Sequence, residues 1–241
     1  MKVTNYLLGY KDMYIIQDSE MFNFSLDSVL LPNFVKLDKR VNNIMDIGCG
    51  NAPIPLILST KTDAHITGVE IQKEVYDMAV ESIKMNNLED RIVIINDDIN
   101  KAYKKYPAGT FDMITCNPPY FKYSESSNIN KNDFKTIARH EVNLNLEDIL
   151  IVSKYLLRNN GSLNIVHRPE RLSDILETMR KYGIEPKRIQ FIYPHPGSNA
   201  NILLVEGIKM GKPGIKVLPC MYSHTSNGEY TEEIKKYFVN N

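Results

Sequence analysis

The sequence predicts an α/β fold: a mostly parallel, twisted, seven-stranded sheet with helices on both faces and an antiparallel final strand. Two observations carry that expectation. From Asn42 onward, short apolar runs alternate with amphipathic stretches of helical spacing, the pattern that parallel strands and crossover helices impose. The last two apolar runs are then separated only by a short segment holding Pro194, Pro196 and Gly197, a connection suited to an antiparallel pair.

In chain order, "NNIMDIG" reads as the first buried strand, "PIPLILSTK" as a short helix and "AHITGVE" as the second strand. "QKEVYDMAVESIKMNN" follows, with Val75, Met78, Ala79 and Ile83 recurring on one helical face. "RIVIIND" is the third strand and "FDMITCNPPY" the fourth. Asn145 is placed to cap a helix through "LEDILIVSKYLL", with Asp148 three residues on in a box-like position. "GSLNIVHR" is the fifth strand, and Leu172, Ile175, Leu176 and Met179 mark the next helix face. "IEPKRIQFIYP" and "ANILLVEGIK" complete the sheet. Between strand four and the capped helix, "FKYSESSNINKNDFKTI" is polar and without periodicity, and loops of that length are usually functional or disordered.

At 241 residues, 43% hydrophobic and 24% charged, the chain has the composition of one globular domain with an ample core. Its formal net charge is zero, so a nucleic-acid partner has to be argued from local clustering of charge. The three cysteines, Cys49, Cys116 and Cys220, are far apart and form neither a disulfide framework nor a metal pattern. The first residues lack the uninterrupted apolar run of a signal peptide, and no stretch approaches the ~20 apolar residues of a membrane span. A cytoplasmic, monomeric, metal-free protein is expected.

The first strand ends in "MDIGCGNAPIP". Asp46 is followed by Gly48 and Gly50, which permit a sharp turn against which a ligand can lie with no side chain in the way. The dinucleotide fingerprint asks for a third glycine, but Pro53 stands three residues after Gly50, so a pyrophosphate grip is not expected. Glu70 ends strand two, where a carboxylate can take both hydroxyls of a ribose. After strand three, either Asp97 or Asp98 can accept from an adenine amino group, and either can instead cap a helix. Together these acids describe an adenosine pocket, and the missing phosphate grip favours a cationic cofactor such as S-adenosylmethionine.

"NPPY" ends strand four on rigid residues for a chemical reason. An exocyclic amino nitrogen is a poor nucleophile until it pyramidalises, and positive charge then develops on its two N–H groups. A site that assists must present two acceptors and no competing donor. The side-chain oxygen of Asn117 and the carbonyl of Pro118 are such acceptors, and Pro118 and Pro119 hold them without offering an N–H. Acceptors aimed at developing charge are worth ~3 kcal/mol each in other enzymes. Tyr120 adds a face for a planar base, worth roughly 1–3 kcal/mol.

With these motifs the chain resembles the class I S-adenosylmethionine-dependent methyltransferases that carry N-P-P-Y. More closely, it resembles the tRNA (adenine-N6) methyltransferases acting at position 37 of a valine tRNA. The likeness covers nearly the whole chain, through "FNFSLDSVLLPNF", "DIGCGNAPIP", "NPPY", "ARHE" and "LVEGIKMGKPGIKVLP". It implies a Rossmann-like domain over residues 41–241, with residues 1–40 packing over the cofactor site. By the same resemblance Asp46, Gly48, Cys49 and Gly50 line the cofactor, Glu70 with Ile71 holds its ribose end, and Asp98 with Ile99, or else Asp97, its adenine. Asn117, Pro118, Pro119 and Tyr120 hold the target base. Phe24 and Asp27 close over the methionine end, unless "FSLDSVLL" is a helix capped by Ser25 or Asp27. Arg139 and His140 contact RNA.

A tRNA partner finds support in the stretch from Met179 to Lys216. Seven basic residues (Arg180, Lys181, Lys187, Arg188, Lys209, Lys212 and Lys216) stand there against Glu185 and Glu206. A loop adenine is already unpaired, so it enters such a pocket at little unstacking cost. The same Asn-Pro-Pro-Tyr site also serves release-factor glutamine methyltransferases. Those carry a separate helical domain first, for which the ~40 residues before strand one are too few. DNA adenine or ribosomal guanine methylation is the remaining alternative.

Overall fold

The computed structural model describes residues 2–7, 10, 13–18, 25–118 and 144–238. A hairpin of β1 (Lys2–Tyr6) and β2 (Tyr14–Asp18) comes first, followed by α1 (Leu26–Phe34). Then β3 (Asn43–Ile47), α2 (Pro53–Ser59), β4 (His65–Glu70), α3 (Lys73–Met85), β5 (Ile92–Asn96), α4 (Ile99–Ala102) and β6 (Phe111–Cys116) alternate. After residue 144 come α5 (Leu146–Leu156), β7 (Leu157–His167), α6 (Leu172–Lys181), β8 (Ile184–Tyr193) and β9 (Ile202–Lys209). The chain closes with β10 (Lys216–Val217), β11 (Met221–Tyr222) and α7 (Glu232–Lys235).

The central sheet runs β10-β8-β9-β7-β6-β3-β4-β5, with β11 also paired to β8. Only β9 runs antiparallel to its neighbours, β7 and β8. The chain builds outward from β3 through β4 to β5, then returns to the other side of β3 with β6. This reversal opens a crevice above the carboxyl ends of β3 and β6. The seven expected strands are therefore present, but among the described residues the sheet has nine. The two additional strands are two residues each, too short to carry any alternation.

Alternation within the strands divides the core in two. Ile44, Met113, Val166, Ile202 and Leu204 face the side covered by α1, α2 and α3. Met45, Ile47, Ile114, Cys116, Ile165, Leu203 and Val205 face α5 and α6. Strand β6 is buried along its whole length, as central parallel strands are. Its one acid, Asp112, accepts the N–H groups of Asn42 and Asn43 at 2.7 and 2.9 Å and pairs with Arg158 at 2.7 Å. The predicted cap of α5 is present in full: Asn145 Oδ1 accepts from the Asp148 N–H, and Asp148 Oδ2 from the Asn145 N–H. Ser25 occupies the cap position of α1 but makes no side-chain cap bond, and Asp27 lies in the first turn.

The hairpin docks on α3 through paired polar contacts. The Tyr14 N–H donates to Asn86 Oδ1 at 2.9 Å, and Asn86 Nδ2 returns a bond to the Tyr14 carbonyl at 2.7 Å. The Ile16 N–H donates to Ser82 Oγ at 2.9 Å.

Arg188 corrects an expectation. It is only 7% exposed, where an RNA-binding residue must face solvent. The Arg188–Glu206 pair sits in register across β8 and β9. Its Nε donates to Glu206 Oε2 at 2.6 Å, and Nη2 donates to Glu206 Oε1 at 3.0 Å and to the Phe34 carbonyl at 2.9 Å. The guanidinium also lies over the Phe34 ring at 4.4 Å. Arg188→Ala strands a buried carboxylate and should cost about 3–5 kcal/mol, read from urea midpoints. Replacing Arg188 and Glu206 together by apolar residues should recover most of that loss.

Candidate active site

The turn after β3 is built on backbone that only glycine adopts freely: Gly48 has φ +67° and Gly50 φ +57°. The Gly48 and Cys49 N–H groups both donate to the Val69 carbonyl, at 2.9 and 3.1 Å. The Gly50 N–H donates to Glu70 Oε2 at 3.0 Å, and the Gln72 N–H to Glu70 Oε1 at 2.8 Å. Glu70, 6% exposed, thus clamps the turn through both oxygens; Oε2 keeps a second lone pair for a ligand, and that of Oε1 is met only by a long contact from Gln72 Nε2 at 3.5 Å. Added at Gly50, a Cβ would meet nothing within 4 Å; at Gly48 it would meet only the tip of Leu144, at 4.0 Å. The backbone here lines open space. Gly68, level with Asp46 on β4, has the opposite role: a Cβ there would meet Cys49 Sγ at 2.8 Å and Ile94 Cδ1 at 2.7 Å. Its absence lets the Cys49 turn fold down onto the sheet.

Helix α2 begins at Pro53, and Pro55 stands two residues later. Two of the first three helical residues therefore lack an N–H, so this terminus cannot offer the donor cluster that a phosphate needs.

Asp46 is fully buried. Its Oδ1 accepts from Thr115 Oγ1 at 2.7 Å, across the register-paired position of β6, while Oδ2 is buried without a hydrogen-bond partner. A buried carboxyl with one oxygen left unpaired, two residues before Gly48 in the chain, suits a cationic group nearby. Burial pushes the Asp46 carboxyl up to about 7, opposed by the Thr115 bond and reinforced by the Glu70 charge. A folded pKa above the unfolded value of about 3.9 leaves the folded state holding an extra proton between the two, so stability falls as pH rises through that window. Asp46→Asn should remove this loss. In urea titrations the variant should gain on the wild type between about pH 4 and 7 and hold the difference above.

Strand β5 brings the third acid pair to the same crevice. The Asp97 N–H donates to the Glu70 carbonyl at 3.2 Å, and Asn96 Nδ2 bonds the carbonyls of Glu70 and Ile71 at 2.9 and 3.1 Å. Asp97 pairs with Lys105 at 2.5 Å, whose hydrogen bond holds its carboxyl below the usual range. Asp98, covered to the same degree, caps α4 by accepting the Asn100 N–H at 3.0 Å and lies 3.4 Å from Lys101 Nζ. Ile71 is exposed beside it, whereas Ile99 is buried.

Asn117 leaves β6 directly after the buried Cys116, half-buried itself, with Pro118 buried behind it. Asp27 is buried in α1, which packs on α2 just past the glycine turn. Phe24, Pro119, Tyr120, Arg139 and His140 lie outside the described residues. Sequence reasoning passed over Thr115, Gln72 and Asn96, whose bonds to neighbouring strands and turns no spacing announces. Asn51 was missed as well: its amide donates to the Ile16 carbonyl at 2.7 Å and ties the hairpin to the turn.

The expected basic patch is at the other end of the sheet. Lys187 lies in the first half of β8, Lys209 ends antiparallel β9, and Lys212 and Lys216 follow it. Lys209 Nζ is bound to the Leu157 carbonyl at 2.7 Å, Lys187 Nζ to that of Lys212 at 2.9 Å, and Arg180 pairs with Glu185 at 3.3 Å. A cavity of about 570 Å³ opens there, between Lys36, Arg40, Asp112, Arg158, Lys187 and Lys216.

In the order β5-β4-β3-β6-β7-β9-β8, with β9 reversed and an acid–glycine turn at the crevice, this architecture is that of a class I methyltransferase. Comparison with known proteins places it further. The methyltransferase small domain model matches residues 25–182, and the chain belongs to that family. It is similar to the tRNA1(Val) (adenine(37)-N6)-methyltransferase of Parabacteroides distasonis, 25% identical over 240 residues, covering 98% of this chain and 99% of the relative. The protein of the same name from Phocaeicola vulgatus is 26% identical over 238 residues, with coverage of 98% and 99%. Among solved structures, a predicted O-methyltransferase from Agrobacterium tumefaciens shares the fold at TM-score 0.68 and 20% identity, covering 89% of this chain and 98% of that one. The TYW2 protein of Pyrococcus horikoshii, solved with MeSAdo, shares it at TM-score 0.58 and 12% identity, with coverage of 87% and 72%. No helix among the described residues is long and apolar enough to cross a membrane.

Proposed function

We propose that the protein methylates the exocyclic N6 amino group of an adenine in tRNA, at position 37 of the anticodon loop of a valine tRNA, using S-adenosylmethionine, as a cytoplasmic monomer. The observation that carries this reading is the meeting of two devices at one crevice: the acid-clamped glycine turn and, one strand away, Asn117 and Pro118. The nearly full-length likeness to tRNA1(Val) adenine methyltransferases supports the choice of substrate.

When bound, S-adenosylmethionine supplies an electrophilic methyl group on a cationic sulfur. Every other role falls to the chain. Glu70 takes the ribose hydroxyls on the lone pairs its backbone bonds leave open. Asp98 accepts from the adenine amino group, because it is fixed as the cap of α4 and its Lys101 contact is looser than the Lys105 pair that holds Asp97. Asp46 sets negative charge beneath the cationic end. The hairpin, through the Asn51 contact, and α1 cover this side, and Asp27 together with Phe24 serves the methionine end. Asn117 Oδ1 and the Pro118 carbonyl receive the two N–H groups of the target amine as it becomes positive, and Tyr120 stacks on the base. No general base is needed before transfer, because the nitrogen loses its proton only after it is cationic. Alignment of amine and methyl donor supplies the rest of the acceleration.

The direct test incubates the protein with labelled S-adenosylmethionine and unmodified tRNA, followed by nucleoside analysis. Labelled N6-methyladenosine is the expected product. Label in a release-factor glutamine, with none in RNA, would keep the pocket and overturn the substrate.

A further inference from the structure

The carboxyl end of the sheet continues past Asn117 as a row of chain ends that the cofactor crevice does not use. β7 lies beside β6, then β9, β8 and β11. Each stops or starts at this level: His167 is paired with Leu203, Ile192 with Ile202, and Tyr222 with Tyr193. At about 4.8 Å per strand, four steps carry the row roughly 19 Å from Asn117 to Tyr222. That is room for about five nucleotides at the ~3.4 Å spacing of a stacked strand.

The groups along this row suit a single strand of RNA. Arg168 stands one strand from Asn117. Its N–H donates to His167 Nδ1 at 2.7 Å and its Nη1 to the Asn201 carbonyl at 2.8 Å, so backbone and guanidinium are both held at the edge. Further along, Ile192 and Met221 are buried on one face of the sheet, which turns the residues after them to the other. Those residues are Tyr193 and Tyr222, with ring centroids 5.9 Å apart and Tyr222 36% exposed. The pairing that places them is extended by bonds from the Ser223 N–H to the Tyr193 carbonyl and from the His224 N–H to that of Pro194, both 2.8 Å. Two aromatic rings set by backbone pairing, with a fixed cation between them and the transfer site, form a platform for unpaired bases and their phosphates. The lysine-rich end of the sheet has no such relation to Asn117, since it lies a strand length away.

We propose that the loop nucleotides flanking the target adenine cross this edge, a phosphate meeting Arg168 and a base stacking on the Tyr193–Tyr222 pair. This rests on the reading of the protein as a tRNA adenine methyltransferase and adds where the loop lies. The test measures both binding and methylation of an RNA hairpin that carries the unpaired target adenine. Tyr222→Ala and Tyr193→Ala should each weaken hairpin binding and raise its KM about 10-fold, with kcat and cofactor affinity little changed. Tyr222→Phe, which keeps the ring, should behave as wild type, and equal melting temperatures rule out a folding effect. The combined Lys187→Ala, Lys212→Ala, Lys216→Ala variant should leave KM nearly unchanged. If the tyrosine variants bind and turn over normally, or only the lysine variant loses binding, the docking edge is wrong and the reaction stands. Binding that depends on the tyrosines, without methylation of the hairpin, would support the edge and overturn the reaction. A wild type that neither binds nor methylates the hairpin overturns both.

Discussion

Asn117→Ala should lower kcat by about 100- to 1,000-fold, the loss found when one preorganised partner of a developing charge is removed. The cofactor dissociation constant should stay within about twofold, because only the charge that appears during transfer feels the change. The physical basis is where the residue stands. Strand β6 is buried throughout, so its end is held by the whole sheet, and β6 pairs directly with β3, the strand that carries the glycine turn. Asn117→Asp retains an oxygen acceptor and should retain more activity than the alanine variant. Single-turnover rates with saturating cofactor separate these effects from binding. An alanine variant that turns over normally would remove the acceptor argument altogether.

Glu70→Ala should instead act on the ground state. The carboxylate holds the Gly50 and Gln72 N–H groups at 3.0 and 2.8 Å, and its remaining lone pairs are assigned to the ribose. Two charge-assisted bonds of about 1.5 kcal/mol each correspond to roughly a 100-fold weaker cofactor complex. The same change leaves two backbone donors of the turn without their acceptor, so thermal stability should fall as well. Glu70→Gln retains one acceptor oxygen and should lie between the two in calorimetric titration. Unaltered cofactor affinity in Glu70→Ala would exclude a ribose role.

Much of this was legible before any coordinates. The alternation in "NNIMDIG", "FDMITC" and "ANILLVEGIK" places the residues that end up in the two halves of the core, because strand side chains alternate wherever both faces are covered. Asn145 and Asp148 announce their own cap, since both its bonds close within three residues. The glycine turn and its acid are likewise local. Illegible were the partners that meet across long stretches of chain. Arg188 reads as one more surface cation until Glu206 is found opposite it on an antiparallel strand. Asp97 and Asp98 look equivalent until Asp98 is found capping α4 and Asp97 paired with Lys105. The two-residue strands β10 and β11 carry no period at all, and the hairpin of β1 and β2 was not foreseen.

The sequence by itself determined the fold class, the order of the seven long strands of the central sheet with the helices between them, and the acid–glycine turn after β3. These depend on periodicity and on residues adjacent in the chain, which local physics reads directly. Only the tertiary structure decided which charges remain available and which end of the sheet they occupy. Parallel strands send their carboxyl ends to one side, and the antiparallel β9 carries Lys209, Lys212 and Lys216 to the other. A basic cluster contiguous in sequence is thereby set a strand length from the site it was expected to serve, while Arg168, Tyr193 and Tyr222, scattered along the chain, are brought into one row beside it.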